Sequence, residues 1–256
     1  MTTNSVKQKL QRSEVSLGTF VFEFDTTGIA RLAAEAGSEF IIFDMEHTGW
    51  SVETIRQLVA TTPRDRIVPM VRVPAKDYHF SARVLDMGAM GIMVPMVETR
   101  EEAQRLVDSI KYPPTGRRGA AFSIAHDDYT AGNVGQKMES ANSETLLIAQ
   151  IETATGLKNV DEIASVDGVD VLWIGQFDLS TSLGIPGQFN HATFQDGLTK
   201  VVEAADRHGK AAGFMVLSVE EAHTLIDRGF RCISYNGDLW IYQQALRQGL
   251  TSIRER

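Results

Sequence analysis

The chain has few of the features that mark secreted, membrane-bound or nucleic-acid-binding proteins. It carries a single cysteine, Cys232, so neither an intramolecular disulfide nor a cysteine-based zinc site can form, which is typical of a reducing compartment. Its 25 Lys and Arg against 33 Asp and Glu give a net charge of -8, and no basic run offers a phosphate-binding face. No stretch reaches the ~18 apolar residues of a membrane span, and the first residues lack the apolar core of a signal peptide. We therefore expect a cytoplasmic protein that binds neither nucleic acid nor membranes.

Three common functional motifs are absent as well. The sequence contains no G-x-G-x-x-G or G-x-x-x-x-G-K-[ST] loop, so it lacks the usual phosphate-binding turns of nucleotide-binding folds. It also contains no G-x-S-x-G, so the nucleophile elbow of serine hydrolases is missing. Neither nucleotide-dependent chemistry nor serine-hydrolase chemistry is indicated.

An apolar run followed by an amphipathic stretch recurs eight times along the chain. The runs cover residues 16–24, 40–46, 67–74, 91–98, 145–152, 169–175, 211–216 and 231–236. Such alternation is typical of a parallel sheet that helices cover on both faces. Eight units in a chain of this length predict an α/β fold, a single (β/α)₈ TIM barrel domain over residues 1–256. The main rival is a doubly wound open sheet, which would normally carry a nucleotide-binding loop after its first strand.

Two segments interrupt the repeat, residues 111–144 and residues 180–192. Long connections in compact domains are often lids or binding loops, so we expect both at the end of the barrel that carries the chemistry. The alternative is that they are surface insertions without a role in the site.

Two carboxylates stand at the ends of consecutive predicted strands, Glu152 and Asp178. In a barrel they would lie side by side, since catalytic groups project from the carboxyl ends of the strands. A hard divalent cation such as Mg²⁺ or Mn²⁺ would relieve their repulsion and leave coordination positions for water and substrate. The alternative, which the spacing leaves open, is that each carboxylate caps the helix that follows it.

A possible base and a possible anion-binding group end the second and third runs. His47 follows Asp44 by three residues, and a carboxylate near a histidine fixes its tautomer and supports a general base. The D-x-x-H pattern alone leaves a structural role open. Arg72 lies in an otherwise apolar run, where its permanent charge must meet a carboxylate or a substrate oxyanion.

No lysine ends any of the eight runs, so a Schiff-base aldolase would lack its nucleophile. A metal, a base and an arginine remain. This set suits enolate chemistry, in which a metal polarises a keto oxygen, a base moves a proton and an arginine stabilises the developing negative charge.

Four motifs together resemble a known family. They are Asp44-x-Glu46-His47, VPMV followed by Y-P-P-x-G-x-R-G over residues 112–119, Gln150-x-Glu152, and Gly175-x-x-Asp178-Leu179. The chain is similar to the HpcH/HpaI aldolase family, related to citrate lyase β subunits, from about residue 16 to residue 236. The resemblance implies a metal-dependent class II pyruvate aldolase on a (β/α)₈ barrel. It also implies a homo-oligomer, a hexamer built as a dimer of trimers with the C-terminal helix exchanged between subunits.

The resemblance assigns catalytic roles residue by residue. It makes Glu152 and Asp178 the metal ligands, His47 the base that acts through a bound water, and Arg72 the group that stabilises the enolate. The implied reaction is reversible cleavage of a 4-hydroxy-2-oxo acid to pyruvate and an aldehyde. It also assigns Asp86 to raising the basicity of the histidine, although its position near a predicted helix end favours a structural role.

The same resemblance implies how the 2-oxo acid is held, and it also shows where this chain differs. Gln150 and the backbone from Gly175 through Phe177 to Asp178 would bind the pyruvate end. Relatives commonly read Gly-Pro-Ala-Asp where this chain has Gly-Gln-Phe-Asp, and they have Trp where this chain has Phe20. Relatives also have Gly where this chain has Met45. Metal binding should survive these changes, whereas they leave the aldehyde undetermined.

Two other functions remain open at this stage. One is a citrate-lyase-like carbon–carbon lyase acting on an acyl-CoA, which would need a basic patch such as Arg117 and Arg118 for the phosphates. The other is a catalytically silent barrel with a binding role. Two carboxylates and waters accommodate several ions, so Co²⁺ and Zn²⁺ stand beside Mg²⁺ and Mn²⁺ as possible metals.

Overall fold

The structure, a computed structural model, describes residues 2–255 and contains a closed barrel of eight parallel strands. Each strand pairs with its neighbours in the sequence, and the last pairs with the first. The strands are β1 (Ser16–Val21), β2 (Phe40–Asp44), β3 (Val68–Arg72), β4 (Gly91–Val94), β5 (Leu146–Ile151), β6 (Val171–Ile174), β7 (Ala211–Val216) and β8 (Phe230–Gly237). All eight predicted runs form strands, and the predicted (β/α)₈ barrel is confirmed.

Helices surround the barrel and connect its strands. They are α1 (Ser5–Gln11), α2 (Ile29–Glu35), α3 (Val52–Thr61), α4 (Tyr78–Asp86), α5 (Arg100–Ile110), α6 (Val134–Glu144), α7 (Ala154–Lys158), α8 (Val160–Ala164), α9 (Gln176–Ser182), α10 (Ala192–Arg207), α11 (Val219–Asp227) and α12 (Asp238–Arg254). Thr99 and Ser218 begin α5 and α11 because their hydroxyls accept the free backbone N–H groups of Glu102 and Glu221.

The side chains of each strand alternate between two apolar cores. One set packs between the strands and the helices, as Ile41 and Phe43 of β2 do. The other set, which includes Phe40 and Ile42, fills the inside of the barrel. Because this alternation has a period of two, a polar residue that continues the inner set at the end of a strand points into the barrel mouth.

Helix α1 closes the amino end of the barrel. Its Val6 and Leu10 pack into the inner core, and the Lys7 ammonium donates to the Thr145 carbonyl just before β5. The mouth at the carboxyl ends of the strands is left for substrate.

The long segment over residues 111–144 begins and ends at the amino end of the barrel, and it reaches the start of α4 at Gly119, whose N–H donates to the Tyr78 hydroxyl at 2.7 Å. None of its residues lines the cavity at the carboxyl ends of the strands, so its predicted location at the catalytic end is wrong. It follows α5 and precedes β5, and connections that leave a helix return to the amino ends of the strands. The Lys111 ammonium fixes it there by donating to the carbonyls of Asn142 and Thr145, at 2.6 and 2.8 Å. The segment contains a short 3₁₀ turn (Ala125–Asp127) and α6.

Helix α12 packs on β1 and β8. Asp238 is its only buried residue, and Leu246, Leu250 and Ile253 are exposed. Nothing in residues 2–255 forms a helix with the length and apolarity that a bilayer crossing requires.

Candidate active site

A cavity of about 370 Å³ opens at the carboxyl ends of the strands. The inner side chains of β2, β3 and β5 continue from apolar core residues to Asp44, Arg72, Gln150 and, one residue past β5, Glu152. The cavity is lined by Phe20, Phe22, Glu23, His47, Arg72, Gln150, Trp173, Gly175, Gln176, Phe177, Asp178, Met215, Leu239 and Trp240. The alternation of the strands therefore brings most of the predicted site residues to one place.

Arg72 is buried and held from two sides. Strand pairing places it directly opposite Asp44, whose Oδ1 accepts from Nε at 2.6 Å, and its Nη1 lies 3.2 Å from Glu46 Oε2. Its Cζ lies 5.2 Å from the ring centre of Phe20 and 5.7 Å from that of Phe22. Two carboxylates and two rings thus fix a cation at the cavity wall.

Asp44 acts on the backbone at His47, which differs from the prediction that it orients the imidazole. Its two carboxylate oxygens accept the backbone N–H groups of Glu46 and His47, at 3.1 and 2.9 Å, in addition to pairing with Arg72. The imidazole is 58% exposed, with Nε2 3.8 Å from Glu46 Oε2. The carboxylate beside the histidine ring is therefore Glu46.

Glu152 is buried, and two hydrogen bonds hold its carboxylate. Its Oε1 accepts the backbone N–H of Met96 at 2.6 Å, and its Oε2 accepts from Gln150 Nε2 at 2.5 Å. Gly175 leaves room for it, since a Cβ there would lie 2.3 Å from Oε2. Burial, followed by the charges of Glu46 and Asp178, raises the pKa of Glu152 to about 7. Burial and the neighbouring negative charges therefore destabilise the ionised form of this carboxylate.

The alternative that these carboxylates cap helices is not supported. Thr153 caps α7, since its hydroxyl accepts the N–H of Gly156. Gly175 is the N-cap of α9, and Asp178 lies in the first turn of that helix with its side chain exposed. Neither carboxylate is used as a helix cap: Asp178 lines the cavity, and Glu152 lies just behind its wall.

Four carboxylates interact in this part of the site: Asp44, Glu46, Glu152 and Asp178. Burial raises the pKa of Glu46 to about 6, with Asp44 and Asp178 adding to the rise and Arg72 opposing it. Within residues 2–255, no three His, Cys, Asp or Glu side chains are grouped so that they could hold an ion by themselves. The pair Glu152 and Asp178 nonetheless fits a hard cation. Both supply oxygen donors, their charges interact, and the Gln150 Oε1 beside them is buried without a partner.

Of the remaining predicted residues, Phe177 lies at the cavity and Asp86 does not. Phe177 is exposed at the rim, where its ring packs edge-on against Phe189 at 5.2 Å. This contact links residues 180–192 to the catalytic end, as predicted. Asp86 lies at the end of α4, where its Oδ1 accepts from Arg118 Nη2 at 2.6 Å. It does not line the cavity within this chain.

The arginines required for an acyl-CoA site are also elsewhere. Arg118 is buried and paired with Asp86, and Arg117 lies 3.9 Å from Asp108, in the segment at the amino end of the barrel. Neither arginine lines the cavity, so Arg72 is the only arginine among its described lining residues. The structure does not favour the acyl-CoA alternative.

Sequence reasoning missed several residues at the cavity or next to it. Glu46 is part of a quoted motif but received no role, and Phe22, Trp173 and Met215 were not singled out. The signal for these three is present, because they continue the inner positions of β1, β6 and β7 by steps of two. Trp240 comes from the first turn of α12, and no pattern in the sequence points to it.

The location of the cavity, with ionisable groups converging on it at the carboxyl ends of the strands, places the protein among the (β/α)₈-barrel enzymes. The family model for HpcH/HpaI aldolase/citrate lyase matches residues 18–244. The chain belongs to this family and is a carbon–carbon lyase, which confirms the resemblance seen in the sequence.

Individual relatives agree with this assignment. A hydroxypyruvate/pyruvate aldolase of Roseobacter denitrificans is 35% identical over 92% of this chain and 91% of its own. A 2-keto-3-deoxy-L-rhamnonate aldolase of Escherichia coli is 31% identical over 99% of this chain and 94% of its own. The crystal structure of an HpcH/HpaI aldolase from Desulfitobacterium hafniense superposes with a TM-score of 0.93 at 33% identity, covering 98% of this chain and 96% of that one.

Proposed function

We propose that the protein is a divalent-metal-dependent aldolase that reversibly cleaves a 4-hydroxy-2-oxo acid to pyruvate and an aldehyde. The observation that carries this proposal is the buried Glu152. Its pKa is raised to about 7 beside Asp178. The carboxylate lies directly behind Gln150 and Gly175, which line the cavity, and the fixed cation Arg72 lines the same cavity. An anionic cluster facing a cation is suited to binding a metal and an anionic oxo acid together.

Glu152 and Asp178 would hold the metal, with water and substrate oxygens as the remaining ligands. Mg²⁺ or Mn²⁺ suits these hard oxygen donors best, and Co²⁺ or Zn²⁺ could also bind. The bound cation would supply Lewis-acid polarisation of the keto oxygen. The hydrogen bonds from Met96 N–H and Gln150 fix the Glu152 carboxylate before any ligand arrives.

Arg72 would stabilise the negative charge that develops on the pyruvate oxygen. Its charge is balanced in the free protein by Asp44 and Glu46, so the guanidinium is already oriented when the substrate binds. Preorganised charge of this kind stabilises a transition state because no reorientation is needed during the reaction.

His47 would move the proton. Cleavage breaks the C3–C4 bond as the C4 hydroxyl proton passes through a water to the imidazole. The electron pair moves to the pyruvate fragment as an enolate, C3 then takes up a proton, and the aldehyde leaves without net oxidation or reduction. This role is supported by the exposed imidazole at the cavity wall and by the Glu46 carboxylate 3.8 Å from its Nε2.

The pyruvate end would lie against β5 and the start of α9. Gln150 presents its amide there, and the backbone from Gly175 to Asp178 begins the helix beside it. Phe177 contributes its backbone, since its ring turns to the rim.

The test is pyruvate release from 4-hydroxy-2-oxo acids, before and after removal of metal with EDTA. We expect activity to disappear in EDTA, to return with Mg²⁺ or Mn²⁺, and to fall at least about 100-fold in Glu152→Gln. Glu203→Gln is the matched control, because Glu203 is exposed on α10 and away from the cavity. Full activity in EDTA and in Glu152→Gln would overturn the proposal.

A further inference from the structure

Four aromatic side chains form a continuous row along one wall of the cavity, which we call the aromatic row: Trp173, Phe20, Phe22 and Trp240. Trp173 meets Phe20 edge-on at 5.9 Å, Phe20 stacks on Phe22 at 5.3 Å, and Phe22 meets Trp240 edge-on at 5.1 Å. Each spacing lies in the range of favourable aromatic pairs. The row is therefore a packed surface rather than a set of separate rings.

The row runs from the barrel interior to the mouth. Trp173 and Phe20 are each only 2% exposed, whereas Trp240 is 38% exposed. Arg72 lies against the middle of the row, at Phe20 and Phe22. A substrate whose oxo-acid end reaches Arg72 would thus extend its other end along Phe22 and Trp240 toward solvent.

The backbone around the row is built to bring its outer rings together. A Cβ on Gly237 would lie 2.9 Å from ring atoms of both Phe22 and Trp240, so only glycine allows them to converge there. The carboxylate of Asp238 accepts the backbone N–H groups of Phe22, Glu23 and Phe24, at 2.9, 3.0 and 2.7 Å. This buried carboxylate fixes the loop after β1 to the helix that carries Trp240.

The outer half of the cavity offers little to a polar ligand. Among the described lining residues, Arg72 and His47 are the only ones that can carry positive charge, and both serve the oxo-acid end. Of the other polar side chains in the lining, Glu23 would repel an anion, and Gln176 already donates its Nε2 to the Met215 carbonyl at 3.2 Å. An anionic chain would therefore be repelled there, and a polyhydroxylated chain would lose its water for few matching partners.

We propose that the aldehyde released from this site carries an apolar group, with an aromatic ring as the best fit. The preferred substrates are 4-hydroxy-2-oxo acids with an aryl substituent on C4, bound with the ring against Phe22 and Trp240. This inference rests on the proposed aldolase function, since the same C3–C4 cleavage releases the aldehyde.

The test compares kcat/KM for three substrates by following pyruvate release. They carry on C4 a phenyl ring, a hydroxymethyl group or a propanoate chain. We expect the phenyl substrate to be preferred at least about tenfold over each of the others, because a ring buried on an apolar wall is worth several methylene groups. Equal values, or a preference for the hydroxymethyl or propanoate substrate, would overturn the inference.

A variant ties the preference to the aromatic row. In Trp240→Ala the ratio of phenyl to hydroxymethyl kcat/KM should fall about tenfold, because the ring loses its outer contact. Tyr242→Ala removes an aromatic from the same helix without touching the cavity, and it should keep the wild-type ratio. An unchanged ratio in Trp240→Ala would contradict the assignment.

Exchange of the pyruvate methyl hydrogens in D₂O separates this inference from the function on which it rests. The exchange requires enolate formation but no aldehyde. Metal-dependent exchange without a phenyl preference would overturn only the substrate class. Absence of exchange would overturn both.

Discussion

Arg72 and Asp44 show how single side chains at the barrel mouth combine structure with chemistry. Asp44 is fully buried and bonds both to the guanidinium and to the backbone of the loop that carries His47. A change at Arg72 therefore alters the charge available to the substrate and leaves a buried carboxylate in need of a partner.

We predict that Arg72→Lys lowers kcat about 100- to 1000-fold. Lysine keeps the charge but loses the planar fork that meets Asp44 and Glu46 together, so the cation is no longer fixed where the enolate oxygen forms. Steady-state pyruvate release measures the effect, and Arg66→Lys at an exposed ion pair is the control. A kcat close to that of the wild type would contradict the assigned role.

Glu152 should make the stability of the metal-free protein depend on pH. Burial and neighbouring charge raise its pKa to about 7, above the ordinary value of 4.5, so the native state holds the proton more tightly than the unfolded chain. In EDTA, the free energy of unfolding should therefore fall as the pH rises from about 5 to about 8.

Urea denaturation of Glu152→Gln tests this expectation. Between about pH 5 and about pH 8, the free energy of unfolding should fall by about 1–3 kcal/mol less in the variant than in the wild type. The reason is that the side chain of the variant stays neutral throughout. Mg²⁺ or Mn²⁺ should stabilise the wild type more at about pH 8 than at about pH 6, since the ion binds the ionised carboxylate. Identical pH dependence in both proteins would show that Glu152 does not carry the effect.

For individual residues, the sequence was enough to identify the ionisable side chains of the site, but some of their contacts were predicted wrongly. Alternation in the strands was enough to place Arg72, Gln150 and Glu152 at one mouth. It could not show that Asp44 would bind backbone N–H groups while Glu46 stands beside the imidazole, because those contacts depend on how the loop after β2 turns.

Among the elements, the junction of β8 and α12 connects the helix layer to the cavity wall. Asp238 begins α12 and accepts three backbone N–H groups from the loop after β1. The same junction carries Trp240, so the first turn of α12 is part of the cavity wall.

Replacing Asp238 by Ala should destabilise the protein by about 2–4 kcal/mol, because three N–H groups lose a charged acceptor. KM for the 2-oxo acid should rise as well, since Phe22 would no longer be fixed against Arg72. Urea denaturation and steady-state kinetics measure the two effects, with exposed Asp196→Ala as the control. A fully stable variant with unchanged KM would rule out this role.

The elements themselves were largely predictable from the sequence. All eight strands follow from apolar runs, because a strand covered on both faces leaves that pattern. Composition alone could not predict at which end of the barrel residues 111–144 lie. It depends on whether the segment comes after a strand or after a helix, and here it comes after α5.

Over the whole molecule, α12 offers an apolar surface that this chain does not cover. Leu246, Leu250 and Ile253 are exposed along it, and a groove of about 510 Å³ between β1, α2 and α12 is lined mainly by apolar side chains. We retain the prediction of a homo-oligomer, a hexamer in which α12 is exchanged between subunits.

Light scattering of the double variant Leu246→Glu/Leu250→Glu tests this arrangement. We predict a smaller species than the wild type forms, because two charges would have to be buried in the interface. Gln244→Glu/Gln248→Glu adds the same charges to polar positions of α12 and should leave the mass unchanged. Equal masses for both variants and the wild type would contradict the prediction.

The central claim is that Glu152 and Asp178 hold a divalent metal that acts with Arg72 and His47 to form the enolate of pyruvate. Proton NMR of pyruvate in D₂O tests it most directly, because loss of the methyl signal reports enolate formation without any aldehyde. We predict rapid exchange with Mg²⁺ or Mn²⁺, and exchange at the uncatalysed rate in EDTA and in Glu152→Gln. Exchange that persists in the chelator and in the variant would contradict the claim.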